Sequence, residues 1–199
     1  ENLRKSPRVQ IEEGDLLGDL SPLGKFDLIY CQEVLHHTAD PKKSFLNLCT
    51  LLSDKGEIAI YVYRQKAPLR EYADDYVRDR ISGLPYEQAM ELMAQVTELG
   101  KVLSNLKVSV DIPEVKVLGI EAGNYDVQRF LYHYFLKCFW NPDLSYQENV
   151  AINYDWYHPQ DASRHSLEEV REWFEAGSLV VVQEHVDPYG ITVRGGSVT

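Results

Sequence analysis

The 199-residue sequence predicts an α/β fold: a mostly parallel sheet that carries a large helical insertion. A strand-like apolar run at residues 26–31 is followed by a helix signal and by a second apolar run at residues 57–63. This strand–helix–strand order is typical of parallel pairing with a right-handed crossover. Strand signals then stop until the carboxyl-terminal region. We therefore predict a single domain with its core at residues 1–64 and 165–199, interrupted by an insertion at residues 65–164.

The predicted core contains two further strand–helix signals. Residues 9–15 alternate apolar and polar side chains up to Asp15, which indicates a short first strand. Asp40 and Pro41 have the residue types of a helix N-cap and a first helical position, and apolar residues follow at helical spacing until Gly56. The crossover between the strands at residues 26–31 and 57–63 is thus predicted to be an amphipathic helix.

The insertion shows helical periodicity instead of strand patterns. A long helix is predicted from Pro85 onward, with Gly100 as a possible bend. A second helix is predicted over residues 125–140, which are apolar nearly all round. Such a helix needs cover on several sides, so we expect a homo-oligomer formed through the insertion.

The carboxyl-terminal region returns to the core pattern. Ser166 and Glu169 have the spacing of a capping box that opens a helix, and Gly177 ends this helix. The apolar runs at residues 179–186 and 191–193 are separated by a four-residue turn signal. They predict an antiparallel hairpin at the end of the chain.

Composition excludes several classes of function. The formal net charge of −11 opposes the phosphate neutralisation that nucleic-acid binding needs. No apolar run approaches the roughly 18 residues of a membrane span. Cys31, Cys49 and Cys138 are widely spaced, and no leader pattern precedes residue 9. We expect reduced thiols, a cytoplasmic location and neither nucleic acid nor membrane as a partner.

Three stretches of the sequence resemble the second half of class I, Rossmann-like S-adenosylmethionine-dependent methyltransferases of the small-molecule type. These are "VQIEEGDLL", "FDLIYCQEVLHHTADPKKSFLNLCTLLSDKGEIAIYVY" and "HSLEEVREWFEAGSLVVVQEHVDPYGITVRG", and they cover residues 9–63 and 165–195. The resemblance implies the family's sheet order 3-2-1-4-5-7-6, S-adenosylmethionine as cofactor and a small-molecule methyl acceptor. The family's glycine-rich cofactor turn, of the form GxGxG, does not occur in this sequence. We therefore expect the sequence to be a fragment or a product without that turn.

Ligands of parallel sheets bind beyond the carboxyl ends of the strands. The resemblance implies that Asp15 and Leu16 contact the adenine, and that Cys31, Gln32 and Glu33 line the methionine and ribose side. From the residues alone, Asp15 is equally consistent with a turn after a glycine. Gln32 and Glu33 are likewise consistent with a solvated loop.

Methyl transfer needs a general base only if the group to be methylated holds a proton that it does not lose readily by itself. Histidine is the side chain that ordinarily titrates near neutrality, so His36, His37 and His158 are candidate catalytic residues, while helix capping or packing is the alternative for His37. Adjacent histidines lack the spacing that aims both rings at one ion, so no metal site is predicted. The candidate substrate-binding residues are Tyr63, Arg64, Tyr154, Trp156, Tyr157, Arg164 and His165.

Most of these substrate candidates belong to the aromatic and polar segment at residues 153–166, which we interpret as a substrate lid. A packed aromatic connector with ordinary ion pairs is the alternative. For the whole chain, the leading hypothesis is methyl transfer to a small molecule. The alternatives are a non-catalytic methyltransferase-like binding or oligomerisation domain that has lost cofactor binding, and a dinucleotide or nucleotide-sugar enzyme on a similar sheet.

Overall fold

The computed structural model describes residues 8–197 and divides the chain into two compact units. The first, the sheet unit, comprises residues 1–63 and 165–199; the second, the helical unit, comprises residues 64–164. Residues 1–7 and 198–199 of the predicted core lie outside the described residues. The single-domain assignment and the role of the insertion as a lid stay predictions.

The helices and strands alternate as expected for an α/β chain with an inserted helical block. In chain order they are β1 (Phe26–Gln32), α1 (Pro41–Cys49), β2 (Leu52–Tyr63), α2 (Pro68–Ile81), α3 (Tyr86–Asn105), β3 (Ser109–Ile112), β4 (Gly123–Asp126), α4 (Val127–Tyr134), α5 (Tyr146–Tyr157), α6 (Leu167–Ala176), β5 (Leu179–Val186) and β6 (Gly190–Ser197).

The sheet unit contains a four-stranded sheet in the order β1-β2-β6-β5. β1 and β2 pair in parallel, with Ile29 opposite Ile58 and Cys31 opposite Ile60. β6 pairs antiparallel with both β2 and β5. The α/β class, the crossover helix and the terminal hairpin are thereby confirmed. The order β1-β2-β6-β5 reproduces the 4-5-7-6 half of the sheet that the resemblance implies.

One face of this sheet carries the apolar core. Ile58 and Ile60 of β2 lie in a single buried cluster with Phe45 of α1 and with Trp173 and Phe174 of α6. The opposite face presents apolar side chains to solvent, because Leu28, Tyr30, Val180 and Val182 are all exposed. Within the described residues of this unit, both helices therefore contribute to the same side of the sheet.

The predicted strand at residues 9–15 is wrong, because this stretch is irregular and ends in a turn. The Asp15 carboxylate accepts a hydrogen bond from the Leu17 amide at 2.9 Å, and the Asp15 carbonyl accepts one from the Gly18 amide at 2.9 Å. Asn47 of α1 then donates to the Leu16 carbonyl at 2.9 Å. These bonds stabilise the turn after Asp15, while residues 9–15 themselves are exposed.

α3 runs from Tyr86 to Asn105 as one continuous helix that includes Gly100, and the possible bend at this glycine stays a prediction. The glycine makes room for another segment. A Cβ atom at this position would lie 2.4 Å from the carbonyl oxygen of Cys138 and 3.3 Å from that of Phe139. The close approach of this backbone explains why a residue of low helix propensity stands inside a helix.

The predicted helix over residues 125–140 is wrong in its second half, because α4 ends at Tyr134. The residues that follow are irregular and are held by side chains. Asn153 of α5 bonds both the amide and the carbonyl of Phe139, at 2.9 and 3.0 Å. Asn149 bonds both groups of Asn141 in the same way, at 2.7 and 3.0 Å. These tertiary bonds replace the intrahelical bonds that the apolar pattern had predicted.

The insertion also contains a two-stranded antiparallel ladder, β3 with β4, that the sequence patterns did not predict. Each strand has only four residues, too few for the alternation of apolar and polar residues to become visible. None of the helices in residues 8–197 has the length and apolar character that crossing a bilayer requires.

Replacing Gly100 with alanine tests this packing. Gly→Ala inside a helix would otherwise stabilise by about 1 kcal/mol. The clash with the Cys138 carbonyl should reverse the sign and reduce the free energy of unfolding by about 1–3 kcal/mol. Urea unfolding measures the change. Gly83→Ala is the control, because a Cβ there meets nothing within 4 Å. A G100A chain as stable as the wild type would contradict this account.

Candidate active site

The carboxyl end of β1 leads directly into the residues that carry titratable groups. Glu33, the first residue after β1, has a positive φ of 57°, and its amide donates to the Tyr61 carbonyl of β2 at 3.3 Å. This turn reverses the chain into a short 3-10 helix, Leu35–His37. Asp40 then caps α1 by accepting from the Lys43 amide at 2.9 Å. His36 and His37 are thus held between a strand end and a capped helix.

His36 is fully buried against the last residue of β2. Its ring stacks on the Tyr63 ring with 3.6 Å between centroids, and its Nδ1 accepts from the Tyr63 amide at 3.3 Å. Burial, with smaller contributions from His37 and His165, lowers the pKa of His36 to about 3. The ring is therefore neutral at physiological pH. This geometry fits positioning of Tyr63 better than proton transfer.

Tyr63 is held from its other side by the start of the carboxyl-terminal segment. The His165 amide donates to the Tyr63 carbonyl at 2.8 Å. The His165 ring contacts the edge of Trp173 at 4.7 Å, and its Nδ1 lies 2.9 Å from the Glu169 carboxylate. His36, His37, Tyr63 and His165 are therefore brought together at the carboxyl end of β2.

The predicted capping box at α6 is only half formed. The Ser166 hydroxyl accepts from the Glu169 amide at 3.1 Å, as expected for an N-cap. The Glu169 side chain, however, contacts the His165 ring instead of the Ser166 amide. The sequence pattern identified the helix start but not the partner of the glutamate.

The predicted cofactor residues occupy two places in the sheet unit. Cys31 is buried, and burial raises the pKa of its thiol to about 11, so the thiol stays protonated. Gln32 and Glu33 are exposed beyond it at the end of β1. Asp15 and Leu16 form the turn held by Asn47 of α1. Leu16 and Cys31 both contribute to the apolar cluster of the sheet unit.

The helical unit contains a second cluster of titratable groups, centred on the buried carboxylate of Asp74. Both of its oxygens lie 2.8 Å from the Nε of Arg70. The Trp156 indole donates to it at 2.8 Å and the Tyr157 hydroxyl lies 2.9 Å from it. Arg70 also bonds the Tyr132 carbonyl at the end of α4. Two of the predicted substrate residues, Trp156 and Tyr157, thus belong to a hydrogen-bonded network.

Sequence patterns missed Arg70 and Asp74 because α2 has the reverse of the usual amphipathic arrangement. Its buried face carries Arg70, Asp74 and Arg78, while Tyr72 and Tyr76 are exposed. The sequence does contain a signal for this buried face, namely charged residues repeated at intervals of four. Charged side chains are seldom buried unless they are paired, so such a stripe is normally assigned to solvent.

The remaining predicted residues of the helical unit have local partners. Arg164 forms ion pairs with Glu71 and Asp75, both at 2.6 Å. The Tyr154 ring stacks on the His158 ring at 4.5 Å, and the His158 Nε2 lies 3.3 Å from the Leu84 carbonyl. These contacts agree with the alternative of a packed connector. The predicted roles of these residues and of Arg64 stay predictions.

A groove of about 510 Å³ lies on the exposed face of the sheet, away from the histidine cluster. It is lined near the start of β2 and the end of β6 by Lys55, Gly56, Glu57, Val180, Val182, Gly196 and Ser197. Parallel strands place ligands at their carboxyl ends, so the groove is not the candidate site. Within residues 8–197, no three His, Cys, Asp or Glu side chains are grouped to hold a metal ion.

The Asp74 network yields a stability prediction. Asp74→Asn removes the charge that compensates the buried guanidinium of Arg70, and breaking a buried pair typically costs about 3–5 kcal/mol. We expect a loss of this size in urea unfolding. Asp79→Asn, on the exposed side of the same helix, is the matched control and should change stability by less than about 0.5 kcal/mol. Equal effects of the two substitutions would refute the role of Asp74.

The low pKa of His36 predicts a pH dependence of stability. The unfolded ring has its ordinary pKa near 6.5, whereas the folded ring titrates near 3. The contribution of His36 is therefore complete above about pH 6.5 and is lost as the pH falls, because the unfolded chain takes up the proton. At about pH 5 the loss should reach about 2 kcal/mol. Denaturant unfolding at about pH 7.5 and pH 5 measures it.

The variants separate this group from other titrating groups. His36→Asn should reduce the difference in the free energy of unfolding between about pH 7.5 and pH 5 by about 2 kcal/mol, whatever its effect on overall stability. His185→Asn, at an exposed position of β5, should leave the difference unchanged. An unchanged pH dependence in H36N would show that His36 titrates normally.

One family model and several solved structures are similar to this chain. Residues 1–60 match a family model described as "Methyltransferase domain". PKMT2 from Rickettsia typhi is 12% identical with a TM-score of 0.59, covering 98% of this chain and 40% of that chain. The structure of PKMT2 in complex with AdoHcy is 12% identical with a TM-score of 0.56, and the match covers 96% of this chain and 39% of that chain. An O-methyltransferase family protein from Burkholderia thailandensis is 11% identical with a TM-score of 0.46, and the match covers 96% of this chain and 36% of that chain.

No curated relative matches the sequence. The chain spans about two fifths of the length of PKMT2. At 12% identity, the similarity to PKMT2 concerns the fold. Together with the sheet order β1-β2-β6-β5, it establishes that this chain has the class I methyltransferase fold.

Proposed function

We propose that this chain is the carboxyl-terminal part of an S-adenosylmethionine-dependent methyltransferase that acts on a small molecule. The observation that carries the proposal is the sheet order β1-β2-β6-β5, which places the carboxyl ends of β1 and β2 side by side. The cluster of His37, Tyr63 and His165 lies at this edge. The family match over residues 1–60 supports the same activity.

The residues at the end of β1 fit one wall of a cofactor site. Gln32 and Glu33 are exposed polar side chains there, and buried Cys31 closes the site from the core side. In the proposal they contact the methionine and ribose, and the turn at Asp15 and Leu16 contacts the adenine. The glycine-rich turn of the opposite wall is not in this sequence, so the fit extends to one side of the cofactor.

The bound cofactor supplies an electrophilic methyl group on a sulfonium. The residues of this chain have to align the acceptor with it and exclude water. Tyr63 is suited to alignment, because His36 and His165 hold its amide and carbonyl. Of the adjacent histidines, half-buried His37 is better suited than fully buried His36 to accept a proton from the acceptor.

A second candidate function, a non-catalytic methyltransferase-like module that associates with itself, rests on the exposed sheet face. Leu28 is 61% exposed and Tyr30 is 69% exposed, although both are apolar or aromatic residues of a strand. A second copy of the chain would bury them. Sedimentation of Tyr30→Asp against the wild type tests this association, and identical monomeric behaviour would exclude it. Cytoplasmic location and oligomeric state stay predictions.

Titration of the chain with AdoHcy by calorimetry tests the proposed activity at its first step. We expect saturable binding, and Gln32→Ala should weaken it by about tenfold through the loss of a hydrogen bond to a charged group. Gln183→Ala is the matched control, an exposed glutamine on β5, and should bind as the wild type does. Absence of heat at millimolar AdoHcy, a saturating range for any specific site, would refute cofactor binding by this chain.

A further inference from the structure

Lys137 is a buried cation without a carboxylate partner. It is only 9% exposed. Its ammonium lies 4.3 Å from the centroid of the Trp156 ring and makes no hydrogen bond or ion pair within residues 8–197. Lys101 provides a comparison, since it lies 5.6 Å from the Trp140 ring but is 38% exposed and pairs with Glu98 at 3.8 Å. Lysine on an aromatic ring is thus ordinary in this unit, whereas burial without a counterion is not.

Several cations lie close to Lys137 around the Trp156 ring. The same indole is faced by Lys66 at 5.8 Å, Arg70 at 5.6 Å and Arg78 at 5.9 Å. The oxygens of Asp74 are already engaged by Arg70, Trp156 and Tyr157. The buried Nε–H of Arg78 likewise has no acceptor within the described residues. An acceptor from outside the chain would pair with the Lys137 ammonium.

Burial without a counterion is unfavourable for the ammonium form. Burial first, and then Arg70 and Lys66, lower the pKa of Lys137 to about 7, while Asp74 and Asp155 act in the opposite direction. An anion bound beside the ammonium would restore the charged form.

The position of Lys137 is fixed by the fold. The Lys137 carbonyl lies 3.1 Å from the Tyr157 hydroxyl, and the next carbonyl, that of Cys138, accepts from the Gln128 amide group at 2.7 Å. The following residue is bonded on both sides by Asn153, and Gly100 gives the segment room. A flexible surface lysine would not be held in this way.

We propose that Lys137 and Trp156 form a subsite for a small carboxylate with an apolar or aromatic body. The ammonium would pair with the carboxylate, and the indole would cover the apolar part. A carboxylate fits better than a phosphate, because Arg70 and Arg78 already donate to Asp74, Asp75 and backbone carbonyls. One ammonium then remains as the main charged donor. This inference does not depend on methyltransferase activity.

Titration with benzoate, followed by tryptophan fluorescence and calorimetry, tests the subsite on the full chain. We expect saturable binding that Lys137→Met weakens at least tenfold, a loss typical of a buried charged hydrogen bond. Lys101→Met should bind within about twofold of the wild type, since an exposed ion pair contributes little. Acetate should bind more weakly than benzoate, because it lacks the ring that the indole would cover.

The pH dependence of the wild type provides a test without any variant. Binding requires the ammonium, which is present below about pH 7. Benzoate affinity should therefore fall roughly tenfold between about pH 6 and pH 8. No saturable benzoate binding, equal binding by K137M, or a pH-independent affinity would each overturn the proposal. Inorganic phosphate that binds as tightly as benzoate would overturn its assignment to carboxylates.

Discussion

The helical unit depends on the buried carboxylate of Asp74. Its oxygens accept from Arg70 of the same helix and from Trp156 of α5, and the Tyr157 hydroxyl lies within hydrogen-bond distance of it. Arg70 extends the network to the carbonyl of Tyr132 at the end of α4. A single charge thereby joins three helices. The Trp156 ring, on which the surrounding cations converge, is held by the same carboxylate.

The sheet unit is organised differently, by apolar packing on one face and backbone bonds at one strand end. α1 and α6 share one core with β2 and β6. At the carboxyl end of β2, the Tyr63 amide donates to the His36 ring and the Tyr63 carbonyl accepts from the His165 amide. His36 precedes Tyr63 in the sequence and His165 follows it. The candidate active-site residues are thus fixed by main-chain contacts, so their spacing does not rely on long flexible side chains.

The sequence predicted best where local and tertiary preferences agree. β1, α1, β2, α6 and the terminal hairpin follow from apolar runs, periodicity and caps. Their burial did not follow in the same way, because β1 and β5 leave Leu28, Tyr30, Val180 and Val182 exposed. Residues 135–140 failed because the asparagine side chains of α5 supply bonds that periodicity does not encode. The same holds for the candidate site: the position of Gln32 at a strand end was predictable, whereas the contacts of Lys137 and Asp74 involve partners distant in sequence.

The reversed amphipathic character of α2 has a consequence for the heat capacity of the two units. Unfolding apolar cores raises heat capacity, whereas exposing polar groups lowers it. The core of the sheet unit is mainly aliphatic and aromatic, while the helical unit also buries Arg70, Asp74, Arg78, Asn149 and Asn153. We therefore expect the helical unit to have the smaller heat-capacity change per residue on unfolding. The stability of the sheet unit should consequently change more steeply with temperature than that of the helical unit.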